Sequence, residues 1–158
     1  MLQQEKFNKG NNIFVGLNDK INNSLPDEIN IYNQAFLINS IPLTPSRSKR
    51  IQTSHEYPKC FNLSGDLTGQ VICYIDTYNK TVKDLSELLS IFQESFNILI
   101  GRTLSNLMST YSINSLIGAP TDRQTLKIKS NENLSTGYKL IHNFQEFNCT
   151  VIFQIDRI

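Results

Sequence analysis

Three polar residues, Ser90, Glu94 and Asn97, have types and a spacing that favour chemistry. They occupy positions i, i+4 and i+7, so on a helix their side chains fall within an arc of about 60°. The pair of Glu94 and Asn97 is poorly suited to general acid–base catalysis, because asparagine has no proton to exchange near neutral pH. An amide can instead donate and accept hydrogen bonds at once, and can therefore orient a water molecule.

Pro120 extends this spacing, because it follows Asn97 after a gap of 22 residues. The pattern Ser-xxx-Glu-xx-Asn-x22-Pro resembles the signature of the CheC/CheX/FliY family, bacterial phosphatases that dephosphorylate the chemotaxis response regulator CheY. The sequence carries the pattern once, so the chain resembles CheX more than the CheC-type members that carry it twice. The resemblance covers about 60–129 and the strand expected near 147–155, and it does not place residues 1–55.

The resemblance implies a division of labour between Glu94 and Asn97. Asn97 would enter the active site of a phosphorylated CheY-like receiver domain and aim the attacking water, whereas Glu94 would pair with a lysine of that partner. Ser90 would be a further partner contact on the same helix face, and Pro120 would shape the turn into the next strand. The phosphorylated aspartate and its Mg²⁺ would belong to the receiver, so no cofactor is expected in this chain. The resemblance to CheX also implies a homodimer.

Two other interpretations stay open on the sequence alone. The chain could be a non-catalytic CheX-like module that binds a receiver or a flagellar switch component. Phe96 favours that interpretation, because family members commonly carry glycine just before the asparagine and a large side chain would narrow access to the partner's site. The pattern could also be accidental, in which case Ser90, Glu94 and Asn97 form an ordinary solvated helix face of a structural or sensory domain.

Composition disfavours several other classes of function. The 158 residues carry 15 Lys and Arg against 14 Asp and Glu, so a formal charge of +1 gives no field that would attract nucleic acid or anionic lipid. Two isolated histidines and three scattered cysteines give no metal-ligand spacing. No apolar stretch approaches the length of a membrane span, and no secretion signal opens the sequence. We therefore expect a cytoplasmic protein with a single domain over residues 1–158.

A strongly amphipathic helix is predicted around the motif. Thr81 or Asp84 can cap its start, and Glu87 stands three residues after Asp84, as in a capping box. Gly101 could break or kink this helix, after which an apolar face continues to about Ser109. The apolar residues that gather on the side opposite the motif are Leu85, Leu88, Leu89, Phe92, Phe96 and Leu99.

Alternation of apolar and polar residues predicts strands on both sides of this helix. The predicted strands are a hairpin over 57–75 and segments at 29–31, 35–38, 113–117, 125–129, 137–141 and 147–155. A further helix is predicted from about Asn11 to Pro26, a long loop over 42–56, and a polar turn over 131–136. These elements predict an α+β fold of CheC/CheX type, with an antiparallel-rich sheet and the motif helices packed on one face.

Overall fold

A computed structural model describes residues 17, 19–26, 28–31, 34–45, 50–122, 125–127 and 133–157. The helices are α1 (residues 19–24), α2 (Thr53–Glu56) and α3 (Leu85–Tyr111). The strands are β1 (Glu28–Ile31), β2 (Gln34–Pro45), β3 (Arg50–Gln52), β4 (Lys59–Gly65), β5 (Thr68–Asp76), β6 (Ser115–Asp122), β7 (Thr125–Lys127), β8 (Asn133–His142) and β9 (Gln145–Arg157).

Seven of these strands form one sheet in the order β1-β2-β8-β9-β5-β4-β6, and every neighbouring pair is antiparallel. β3 and β7 pair separately. β9 shows why the sequence forms such a sheet, because its residues alternate between the two faces. As predicted, Phe147, Cys149, Val151, Phe153 and Ile155 are all buried in the main core. The predicted hairpin is also confirmed, as β4 and β5.

The main core lies between one face of the sheet and the helices α1 and α3. Leu17, Ile21 and Leu25 bring the first helical segment into this core, and Asn106 on α3 donates a hydrogen bond of 2.8 Å to the Ser24 carbonyl. A smaller cluster, made of Cys60, Ile72, Tyr74 and Ile152, occupies the reverse face of the sheet. The prediction of an α+β fold with the motif helix on one face of an antiparallel sheet is therefore confirmed.

The motif helix α3 is one element of 27 residues. Asp84 is its N-cap, and its side chain accepts a hydrogen bond of 3.1 Å from the Glu87 N–H, as the predicted capping box requires. Ser112 caps the other end with a left-handed backbone. Of the two possibilities predicted at Gly101, a break or a kink, the break is wrong. A helix glycine costs only about 1 kcal/mol, and the burial of residues such as Leu104 outweighs this cost.

Two predicted irregular segments contain regular structure. The predicted loop over 42–56 instead holds the end of β2, all of β3 and the short helix α2. Pro42 fits within β2 because the pairing of β2 with β8 shifts register between Asn39 and Thr44, and prolines are tolerated at such bulges. The predicted turn over 131–136 is wrong from Asn133 onward, where β8 begins, while 131 and 132 lie outside the described residues.

Two of the predicted elements lie only partly within the described residues. The helix predicted from Asn11 is observed over 19–24 and ends before Pro26, as expected, whereas 11–16 lie outside the described residues. Likewise, 128 and 129 of the strand predicted over 125–129 are outside them. Among the residues that are described, no helix is both long enough and apolar enough to cross a membrane.

Candidate functional site

The structure brings Ser90, Glu94 and Asn97 together on one side of α3. Ser90 and Asn97 are exposed, and Glu94 is half-buried. With a rise of 1.5 Å per residue, the three side chains extend over about 10 Å of the helix surface. This placement is the one that a docking face requires, and the roles of the three residues stay predictions.

The orientation of this face is set by Ser95, which the sequence analysis did not single out. Its hydroxyl donates a hydrogen bond of 2.7 Å to the Phe92 carbonyl and lies 2.7 Å from the Tyr138 hydroxyl on β8. Burial raises the pKa of Tyr138 well above its ordinary value of 10, so the phenol keeps its proton and can donate to Ser95. The sequence signals only that Ser95 is a polar residue next to the apolar stripe of an amphipathic helix, and it does not identify Tyr138 as the partner.

Phe96, which lies between Ser95 and Asn97, also fixes the rotation of α3. Its side chain is fully buried and packs on Phe61 of β4, with the ring centroids 4.8 Å apart. The two residues between Glu94 and Asn97 are therefore both anchored in the core, by a hydrogen bond and by an aromatic contact. Phe96 points away from the exposed face, so its side chain does not narrow access to Asn97.

Pro120 lies within a strand, and the prediction that it shapes a turn is wrong. It stands in β6, at the edge of the sheet, opposite Phe61 of β4. Proline cannot donate to a sheet ladder, so an edge strand is where it is tolerated. The pairing of β4 and β6 shifts register between Phe61 and Leu63, next to this contact. Pro120 is exposed, but it lies on this edge strand and not on the face of α3 that carries Ser90, Glu94 and Asn97.

The titratable groups buried beneath the site are neutral. Burial raises the pKa of the Cys73 and Cys149 thiols above their ordinary value, so both keep their protons at neutral pH. All three cysteines of the chain are buried, and none of them forms a disulfide. Within the described ranges, no group of three or more His, Cys, Asp or Glu side chains could hold a metal ion. The face of α3 itself carries the amide of Asn97, the carboxylate of Glu94 and the hydroxyl of Ser90.

No protein-family model matches the chain, and no curated protein matches it. Similar solved structures include FliY from Thermotoga maritima, with a TM-score of 0.45, 11% identity and 75% of each chain covered. A CheC-like superfamily protein from Shewanella has a TM-score of 0.37 and 9% identity, over 71% of this chain and 84% of the other.

A complex of CheX and CheY with BeF₃ and Mg²⁺, from Borrelia burgdorferi, has a TM-score of 0.35 and 14% identity, over 68% of this chain and 84% of the other. All these TM-scores are below 0.5, so these similarities assign no function to this chain. The residues of α3 and the contacts that orient them are the features from which a function can be inferred.

Proposed function

We propose that this protein is a CheX-like phosphatase, which binds a phosphorylated CheY-like receiver domain and accelerates hydrolysis of its aspartyl phosphate. The observation that carries the proposal is the exposed carboxamide of Asn97, one turn beyond Glu94 on a helix whose rotation is fixed by Ser95 and Phe96. An acyl phosphate has a good leaving group and a loose transition state, so a positioned water is the main help that a protein can supply.

Asn97 suits this task because its amide can accept a hydrogen bond from the water while it donates another to the phosphoryl group. The Mg²⁺ and the phosphorylated aspartate are supplied by the receiver, so the chain itself needs no cofactor. Glu94 pairs with a lysine of the receiver and sets the docking register. An ion pair at a partly exposed position contributes little affinity, about 0 to 1 kcal/mol. Ser90 makes a further contact on the same face. A cytoplasmic homodimer with a single domain stays a prediction.

The proposal is tested by following loss of phosphate from CheY-like receivers of the same organism, with and without the protein. The wild type should accelerate it. Asn97→Ala should lower kcat by about a hundredfold while the protein still binds, because the water is no longer aimed. Glu94→Ala should raise KM by up to about fivefold with kcat nearly unchanged. Ser109→Ala is the matched control, because this exposed α3 residue lies about 18 Å along the helix from Asn97.

The outcomes separate the three interpretations of the motif. A receiver that binds the wild type but loses phosphate at its own rate would leave only the non-catalytic binding module. Full activity of the Asn97→Ala variant would remove the water-positioning role. If no receiver binds, the spacing of Ser90, Glu94 and Asn97 is accidental.

A further inference from the structure

Gly101 lies on the docking face of α3, the side of the helix that carries Ser90, Glu94 and Asn97. It follows Ser90 by eleven residues, so it falls within the same arc of about 60° as the three motif residues. It is exposed, and it lies one turn beyond Asn97, about 6 Å further along the helix axis. A standard interface covers about 800 Å² of each partner, a disc of about 16 Å radius. A partner centred on Asn97 therefore covers Gly101 as well.

The fold itself gives no reason for a glycine at position 101. Gly65, for comparison, has a φ of 104°, and a Cβ on it would lie 2.5 Å from the Asn114 carbonyl oxygen. Gly101 has a helical backbone, and a Cβ on it would meet no atom within 4 Å beyond its chain neighbours and the local helix backbone. Glycine is the least favourable residue in a helix interior apart from proline, so the free protein loses stability here without a compensating contact. This loss indicates a use outside the chain.

The docking face has to come close to its partner, because the amide of asparagine is separated from the backbone by a single methylene group. A group this short enters another protein's active site only if the helix backbone approaches that protein closely. The residues that flank Asn97 on the helix surface are those three and four positions away. Of these, Ile100 is fully buried, and Gln93 and Glu94 are half-buried. Gly101 is the exposed neighbour.

A side chain at position 101 would obstruct this approach. In an α-helix the Cα–Cβ bond tilts toward the amino terminus, so a side chain covers the turn that precedes its own Cα. The turn that precedes Gly101 is the one that carries Asn97. A larger residue would therefore lie beside the Asn97 amide and hold a partner away from it.

We propose that Gly101 is a positioning residue of the docking face, whose missing side chain lets the backbone of the receiver lie directly on α3. The close approach brings the Asn97 amide within reach of the attacking water and the phosphoryl group. This role rests on the proposed function and adds to it the residue that sets the depth of docking. A side chain at position 101 should weaken binding and also withdraw the amide from the water. A misplacement of about 1 Å can cost about a hundredfold in rate.

Gly101→Ala and Gly101→Gln test this role, because stability and activity should change in opposite directions. Alanine and glutamine are both good helix formers, so each variant should raise Tm by about 2 to 4 °C. The kcat/KM for loss of phosphate from the receiver should fall about five- to tenfold for Gly101→Ala and at least about a hundredfold for Gly101→Gln. Ser109→Gln is the matched control, because it places the same side chain at an exposed position of α3 about 18 Å from Asn97. It should leave kcat/KM unchanged.

Binding is measured where turnover is slow, in the Asn97→Ala background. There the Kd for the phosphorylated receiver should rise at least about tenfold when Gly101→Gln is added, because the side chain separates the two backbones.

The outcomes distinguish close approach from other roles of Gly101. Equal losses of activity for Gly101→Ala and Gly101→Gln would indicate that helix flexibility matters, since the two residues differ in size more than in helix propensity, and would overturn the inference. A Tm below that of the wild type would show that the fold needs the glycine, with the same consequence. Equal losses for Gly101→Gln and Ser109→Gln, or an unchanged Kd in the Asn97→Ala background, would also overturn it.

The proposed function can fail or survive separately. Wild-type activity of Gly101→Gln would overturn the role of Gly101 and leave the proposed function intact. A wild type that accelerates loss of phosphate from no receiver would overturn both.

Discussion

Replacing Phe96 by alanine tests the rotation of α3, on which the candidate site depends. The ring is fully buried against Phe61. Truncation of a buried phenylalanine costs about 3 to 5 kcal/mol, through lost transfer free energy and the cavity left behind. With a urea m-value of about 2 kcal/mol/M, a loss of 4 kcal/mol lowers the unfolding midpoint by about 2 M. This is a large part of the 5 to 15 kcal/mol that keeps a typical domain folded.

Equilibrium unfolding in urea, followed by circular dichroism, measures this loss. Phe144→Ala is the matched control, because the same ring is removed from a fully exposed position, and it should change stability by less than about 1 kcal/mol. A double-mutant cycle of Phe61→Leu with Phe96→Leu should give a coupling energy of about 0.5 to 1.5 kcal/mol.

A loss below about 1 kcal/mol for Phe96→Ala would refute the reasoning. Phe96 would then face solvent, and Asn97, about 100° further around the helix, would no longer project from the middle of the exposed face.

Three further predictions concern the supports of the site. Asp84→Ala should lower the free energy of unfolding by about 1 kcal/mol, because the Glu87 N–H loses its acceptor, whereas Ser86→Ala should not; thermal unfolding compares them. Gly101→Ala should raise the free energy of unfolding by about 0.8 to 1 kcal/mol, since a Cβ at this position meets no atom within 4 Å. A lower urea midpoint for this variant would contradict the prediction. Alkali should destabilise the protein, because burial raises the pKa of Cys149 and the unfolded thiol loses its proton first. The contribution of Cys149 is full below pH 9.0, and above it this thiol alone lowers stability by up to about 1.4 kcal/mol per pH unit. The pKa of the buried Cys73 thiol is raised too, so Cys149→Ala should lose stability less steeply than the wild type.

The predictions that succeeded rest on strong local patterns. The apolar spacing of α3 and the alternation in β9 both follow from side chains that must face one core, so the sequence alone locates them. The exposed position of Asn97 follows from the same projection of the helix. The N-cap at Asp84 is likewise local, because the bond it makes reaches only three residues along the chain.

The predictions that failed depend on contacts between distant residues. A proline usually indicates the end of a strand, so Pro42 and Pro120 predict a loop and a turn. The structure instead accommodates Pro42 at a register shift in β2 and Pro120 in the edge strand β6. Gly101 is tolerated because tertiary packing on both sides of it holds α3 together. The bond between Ser95 and Tyr138 joins residues 43 apart, so no local pattern predicts it. These are the features that orient the candidate site.

The two anchored residues between Glu94 and Asn97 also restrict how this protein can diverge. One residue inserted into α3 before Glu94 would rotate the preceding part of the helix by about 100° relative to the part that follows. Phe92 and Phe96 could then not both face the core, and Ser90 would leave the side of the helix that carries Glu94 and Asn97. Substitutions preserve both arrangements, whereas insertions and deletions inside the helix preserve neither. Relatives that keep the candidate site should therefore vary in length within their loops and keep the length of this helix constant.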